Sequence, residues 1–382
     1  MKRISLFLLL FLLLKATVMY SQDGHPETNF RIVPVSPNAA SLGTFGMIPT
    51  DNYVGQANLT IPIYEIDLDG KKFPIALSYH TDGTRVAQEA TWIGLGWTLQ
   101  AGGCVVRQVQ GTDDFAARGC YNLTDAPWLT NPRFEVTDQN LEKYMGYFKG
   151  DYDAEPDMFY FNAGGHSGSM YFDVLKNNRQ LNAVPTIQTQ EKVVKMVYNT
   201  SNKTWTMTDL EGYVYSFSTK EITYYFLNTI DFFQTDITRS HIFPYYNEPQ
   251  IVTAWMLDSV TSPNGGKITF SYKKESIFTP ISTTEDVISL SKIVNGQLSS
   301  QSPQYFTNKF NYNYSYSKIE QWTLSAITFE GGKVEFGTTD REDIESAETG
   351  KKVQKLSSIK VSDTAGNLIK TTMLEYKYLL SG

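Results

Sequence analysis

Asn58-Leu59-Thr60-Ile61-Pro62-Ile63-Tyr64, then Asp69-Gly70, then Phe73-Pro74-Ile75-Ala76-Leu77-Ser78-Tyr79-His80, is the stretch that decides the fold class. Leu59, Ile61 and Ile63 alternate with Thr60, Pro62 and Tyr64. After Asp-Gly, Phe73, Ile75, Leu77 and Tyr79 alternate with Pro74, Ala76, Ser78 and His80. Two period-2 runs around Asp-Gly predict a β-hairpin. Pro62 and Pro74 lack ladder donors, so each belongs at an edge or a strand end.

The same grammar recurs downstream. Met158-Phe159-Tyr160-Phe161 leads through Gly164-Gly165 to Ser169-Met170-Tyr171-Phe172. Trp255 to Val260 precedes Gly265-Gly266 and Lys267-Ile268-Thr269-Phe270. Trp322 to Ile327 precedes Gly331-Gly332 and Lys333-Val334-Glu335-Phe336. Leu356 to Ile359 precedes Gly366 and Leu368-Ile369, and a fainter copy turns at Glu211-Gly212 after Trp205. The unit starts are unevenly spaced, which excludes a regular solenoid. Aromatic residues make up 14% of the 382-residue chain and charged residues 19%, a composition suited to pleated, half-buried surfaces. The expectation is an all-β protein of antiparallel hairpins forming a β-sandwich or curved sheet, with one short helical insertion. Thr137 to Lys149 is the helix candidate, with Leu141, Tyr144, Met145 and Phe148 at helical spacing and Gly150 after it. Residues 22–52 carry four prolines without a period and read as irregular.

The division expected is a signal peptide over 1–21, an N-terminal β domain over 22–130, a helical or loop insertion over 131–155 and an antiparallel hairpin region over 156–382. Lys2 and Arg3 precede the 11-residue stretch Ile4–Leu14, apolar apart from Ser5, and Ser21-Gln22 is a plausible cleavage point. Such a run is a signal-peptide core and too short to span a bilayer. Its removal takes 33 basic residues to 30 against 40 acidic ones, a net charge of −10. An acidic exported protein is a poor partner for nucleic acid or an anionic membrane, and no later segment is long enough for an integral membrane span.

Chemistry is hard to find. His25, His80, His166 and His241 are far apart and fit no ligand spacing, so neither a metal nor another cofactor is expected. Gly164-Gly165-His166-Ser167-Gly168 breaks the nucleophile-elbow frame, because Ser169 stands where a glycine is needed, and a hairpin loop is the better reading. Asp113 and Asp114, as neighbours on a strand, would face opposite ways and not share a site. Asp151, Asp153, Glu155 and Asp157 lack the pattern of a calcium loop. No catalytic residue is assigned, and the chain is not expected to be an enzyme. Two cysteines, Cys104 and Cys120, survive export; an oxidising compartment permits a disulfide between them, and two separate thiols is the alternative.

The segment Ser36–Phe115 supplies a longer pattern. It runs through Ser36-Pro37-Asn38-Ala39-Ala40-Ser41-Leu42-Gly43 and Gly55-Gln56-Ala57-Asn58-Leu59-Thr60-Ile61-Pro62-Ile63-Tyr64. Trp92-Ile93-Gly94-Leu95-Gly96-Trp97 and Ala101-Gly102-Gly103 with Arg107 follow, and then Gly111 and Asp113-Asp114. This order resembles the N-terminal region of Rhs/YD-repeat proteins of Bacteroidetes-type bacteria. It is more distantly similar to the N-terminal regions of SpvB-like proteins and Tc-toxin B subunits. The resemblance implies a large secreted β protein whose relatives wind strands into a shell around a C-terminal toxin. It also implies that this chain lacks the repeat core and the toxin, since it reaches Gly382 where relatives continue into tyrosine–aspartate repeats. On this footing the function expected is a non-catalytic secreted or cell-surface scaffold module, part of a polymorphic-toxin-like shell. The alternative is a carbohydrate-binding module, with a glycan or another cell-surface protein as partner. Trp92, Gly94, Gly96, Trp97, Gly102, Gly103 and Arg107 are expected to be its structural motif.

Overall fold

The structure is a computed structural model. It describes residues 33–47, 58–80, 89–111, 113–116, 119–122, 141, 145–146, 153, 155–173, 182–188, 194–231, 250–288, 293–294, 297–298 and 309–378. One helix, α1 (Pro37–Met47), precedes the strands. These are β1 (Asn58–Leu68), β2 (Lys71–His80), β3 (Trp97–Gln100), β4 (Gly103–Gln108), β5 (Met158–Ala163), β6 (His166–Tyr171) and β7 (Asn182–Ala183). Next come β8 (Thr186–Ile187), β9 (Val194–Asn199), β10 (Thr204–Asp209), β11 (Val214–Asp231), β12 (Gln250–Thr261), β13 (Lys267–Phe278) and β14 (Ser282–Ile288). The last are β15 (Ile293–Val294), β16 (Gln297–Leu298), β17 (Lys309–Phe329), β18 (Gly332–Asp340), β19 (Gln354–Ser362) and β20 (Leu368–Met373).

Every described ladder is antiparallel, so the all-β expectation holds. β1, β2 and β3 form one sheet, β15 and β16 a ribbon, and the other fifteen strands one large sheet. The predicted hairpins form as β1–β2, β5–β6, β10–β11, β12–β13, β17–β18 and β19–β20. Asp69 (φ 50°) and Gly70 (φ 93°) make the first turn with two positive φ values, which matches the right-handed twist of the flanking strands. Pro62 sits at a bulge in edge strand β1, and Pro74 lies beyond the part of β2 that β3 pairs, so neither withholds a needed donor. The alternation does not tell which part of β1 is covered: Ile63, Ile66 and Leu68 are buried, whereas Leu59 and Ile61 are exposed.

β17, 21 residues long, pairs in turn with β14, β11, β13 and β18. β11 also pairs with β12, and β12 with β13, so β11, β12, β13 and β17 close a circuit of hydrogen bonds. Against the large sheet packs a knot of rings: Phe115 stacks on Tyr198 (4.9 Å between centroids), Phe172 on Trp205 (5.7 Å), and Trp205 meets Trp255 edge-on (6.1 Å). Aromatic pairs of this kind add about 0.5–1.5 kcal/mol each beyond their burial.

Helix α1 corrects the reading of residues 22–52 as irregular. Ser36 is its N-cap: the Ala39 amide donates to Ser36 Oγ (3.1 Å), and Pro37 takes the first helical position, where no amide donor is needed. Buried Glu221 on β11 fixes the cap by accepting from the Ser36 amide (2.9 Å) and the Ser36 hydroxyl. The candidate helix 137–149 lies outside the described residues except for 141, 145 and 146, whose backbone is helical.

Candidate functional site

Arg107 on β4 is 1% exposed, and its charge is met from two loops. Its Nε donates to Asp157 Oδ2 (2.8 Å), and its terminal nitrogen donates to Asp113 Oδ1 and Asp157 Oδ2. Burial alone would drive the guanidinium towards neutrality; Asp157 and Asp113 outweigh it and hold the proton more firmly than usual. Asp157 also accepts from the amides of Gln110 (2.7 Å) and Asp114 (3.1 Å), while its own amide donates to Asp114 Oδ2 (3.0 Å). Asp113 and Asp114 lie in a turn rather than on a strand, and both join the Arg107 cluster, against the expectation that they would face apart. Asp114 Oδ1 is buried without a partner, and burial pushes the Asp114 carboxyl up to about 8, with Asp157 adding repulsion.

Cys104 and Cys120 are both buried and free. Alternation along β4 explains this: Cys104 and Val106 face Ala254 and Met256, whereas Val105 and Arg107 face the opposite side. Cys120 opens a short 3-10 turn beside Asp114, on the Arg107 side, so the strand separates the two sulfurs. Burial pushes both thiols up.

Of the glycine–tryptophan motif, Trp92 and Leu99 are buried and Leu95 and Trp97 half-buried, with the Trp97 ring 5.2 Å from that of Tyr79. Residues 91–97 fold back twice: the Gly94 amide donates to the Thr91 carbonyl (3.1 Å), and the Trp97 amide to the Gly94 carbonyl (3.2 Å). Gly94 (φ 129°) and Gly96 (φ 77°) supply the positive φ angles. The Trp92 amide donates to Asn38 on α1 (2.9 Å), and its carbonyl accepts from the Leu356 amide on β19 (2.8 Å). Gly102 and Gly103 border a cavity of about 300 Å3, whose walls include Ile66, Phe73, Ile75 and Phe270.

A second cavity, of about 440 Å3, opens where the 91–95 turn meets the segment after β20. Its wall rests on Arg341, 4% exposed, whose donors are engaged by Asp343 (2.7 and 2.6 Å) and by the carbonyls of Thr91 and Ala90 (3.2 and 3.1 Å). Despite partial burial, those bonds hold the Asp343 carboxyl below the usual range. Lys355 Nζ lies over the rings of Tyr378 (4.7 Å) and Tyr376 (5.4 Å) and donates to Tyr378 Oη (3.0 Å). The Glu342 amide donates to the same oxygen (3.1 Å). Tyr376 packs on Gly94, its ring 3.7 Å from where a Cβ would stand, and its buried Oη has no partner. Burial pushes the Tyr376 hydroxyl up to about 12, so it stays protonated at ordinary pH. Burial also raises Glu89, the carboxyl at the cavity's other side. Sequence reading found Trp92 and Gly94 but not Lys355, Tyr376 or Tyr378, which come from distant segments without a motif.

Among the described residues no group of three or more His, Cys, Asp or Glu side chains is placed to hold a metal ion. His166 Nε2 lies 3.7 Å from Asp209 Oδ2, which also takes Lys71 (2.5 Å) and the Tyr215 hydroxyl (3.1 Å). Among the described residues no helix is long and apolar enough to cross a membrane.

The sequence matches no protein-family model and no curated protein. Among solved structures, a TcdB2–TccC3 complex is similar with 11% identity and a TM-score of 0.35, over 84% of this chain and 14% of that one. The Photorhabdus luminescens Tc holotoxin pore is similar with 10% identity and a TM-score of 0.33, over 90% of this chain and 14% of that one. The N-terminal domain of effector protein SpvB from Salmonella typhimurium is similar with 11% identity and a TM-score of 0.33, over 84% of this chain and 99% of that one. The chain is thus distantly similar in structure to Tc-toxin chains, of which it spans about a seventh, and to the SpvB N-terminal domain.

Proposed function

We propose that the chain is an exported, non-catalytic scaffold module of the Rhs/YD kind, held at the cell surface or secreted as part of a toxin-like shell. The observation that carries this reading is the continuous fifteen-stranded sheet, tied together by β17, with its largest rings turned into its own core. Such a frame suits display and enclosure, and the Arg107 cluster supports it by fixing two loops to β4. The basic n-region and apolar stretch of residues 1–14 support export. The test is the purified mature chain on a panel of ester and glycoside substrates, with mass analysis of its N-terminus. Turnover lost on changing one carboxylate would overturn the non-catalytic reading. An intact Met1 on a cytoplasmic product would overturn export.

A second reading, carbohydrate binding, is favoured by the 440 Å3 cavity with its two tyrosines. Phenol rings offer flat stacking faces at low entropic cost.

A further inference from the structure

We propose that the cavity between the 91–95 turn and Tyr376–Tyr378 binds a carboxylated sugar ring, a uronic-acid residue of an acidic glycan, with the carboxylate at Lys355. The proposal rests on the carbohydrate-binding reading and names its ligand class. The first argument is the inventory of donors. Tyr378 Oη accepts from both Lys355 Nζ and the Glu342 amide, so its own O–H points elsewhere. Lys355 spends one of its three donors on Tyr378 and has no carboxylate within ion-pair distance among the described residues. Tyr376 Oη is buried without a partner. The Lys355 ammonium thus keeps two donors at the cavity, beside a Tyr378 hydroxyl whose own proton is uncommitted, while Tyr376 Oη is enclosed in the wall.

The second argument is charge. Arg341 is spent on Asp343 and two backbone carbonyls and supports the wall rather than receiving a ligand. Lys355 and Lys377 remain, opposed by Glu89, whose carboxyl burial already makes easier to neutralise. On a chain with a formal net charge of −7, this cavity still has cations to spare for one anion. The third argument is shape. Tyr378 is 40% exposed, giving a ring face beside the ammonium. The volume of about 440 Å3 lies within the roughly 300–1,000 Å3 of small-molecule sites. A pyranose ring with an attached carboxylate matches a flat face flanked by a cation better than a flexible acidic peptide does.

The test is calorimetric titration of the full chain with a glucuronate-terminated oligosaccharide, its glucose-terminated counterpart, and a peptide ending in glutamate. Saturable binding of the glucuronate ligand, at least tenfold tighter than the neutral one, is expected. Lys355→Met should erase that preference without shifting the thermal midpoint, Lys355→Arg should keep most of it, and Glu89→Gln should strengthen it. Binding of both sugars equally, unchanged in Lys355→Met, would overturn the carboxylate claim and leave the carbohydrate reading standing. Equal binding of the peptide would overturn the sugar ring. Binding of no sugar would overturn both.

Discussion

Arg107 and Asp157 face one another across β4 and the start of β5, 2.8 Å from Nε to Oδ2, with neither side chain more than 1% exposed. Removing one member of such a pair leaves a buried charge without its counter-ion. Arg107→Met should therefore cost about 3–5 kcal/mol, read from the urea midpoint. A midpoint unmoved by this change would show the cluster to be dispensable to the fold.

Asp114 shares that cluster and has no cation of its own. With its carboxyl at about 8 in the fold and about 3.9 in the unfolded chain, the folded state binds the extra proton between those values. Stability from this group is full below about pH 4, falls as pH rises through the raised value, and then levels off. Asp114→Asn should flatten that fall. Urea unfolding at pH 5, 6, 7 and 8 measures both slopes, and parallel slopes would place the proton on another residue.

Gly103 starts β4 with no room for a side chain. A Cβ there would lie 2.6 Å from Ala163 Cβ, 2.9 Å from Ala163 Cα and closer still to the Asn162 carbonyl oxygen, all on the paired strand β5. Gly103→Ala should cost about 1–3 kcal/mol as backbone or side chains are forced aside. The thermal midpoint reads the loss, and wild-type stability in this variant would refute the close approach.

Both cysteines should behave as unpaired thiols. A thiol-reactive dye should label neither quickly in the native chain and both in denaturant without reductant, and the intact mass should lack the two-hydrogen deficit of a disulfide. Protection that persists in denaturant until reductant is added would instead reveal a bridge.

Hairpins were legible because their information is local. Alternation and a glycine turn lie within about twenty residues, and Asp69-Gly70, Gly265 and Gly366 all mark real turns. The helix cap was local too: Ser36-Pro37 carried the signal, but four prolines in 22–52 masked it, and the Glu221 that anchors the cap is 185 positions away. The sites were less legible for the same reason. Arg107 stood out, yet its partner is Asp157, and the Lys355–Tyr378 cavity joins segments with no shared pattern. Strand logic also misplaced Asp113 and Asp114, because the alternation rule applies only where the backbone is extended.

The reach of β17 bears on the order in which the chain can be built. Its ladder partners Ile222 and Ile277 meet Glu320 and Ile319, and Val106 on β4 waits for Ala254 on β12. A ribosome must release residues up to 329 before the circuit of four strands can close. Pairings this distant in sequence form slowly, because the loop must close before the contacts reward it. Until β17 has emerged, β11 and β13 lack their shared partner, so the strands made earlier hold their neighbours while the large sheet stays open.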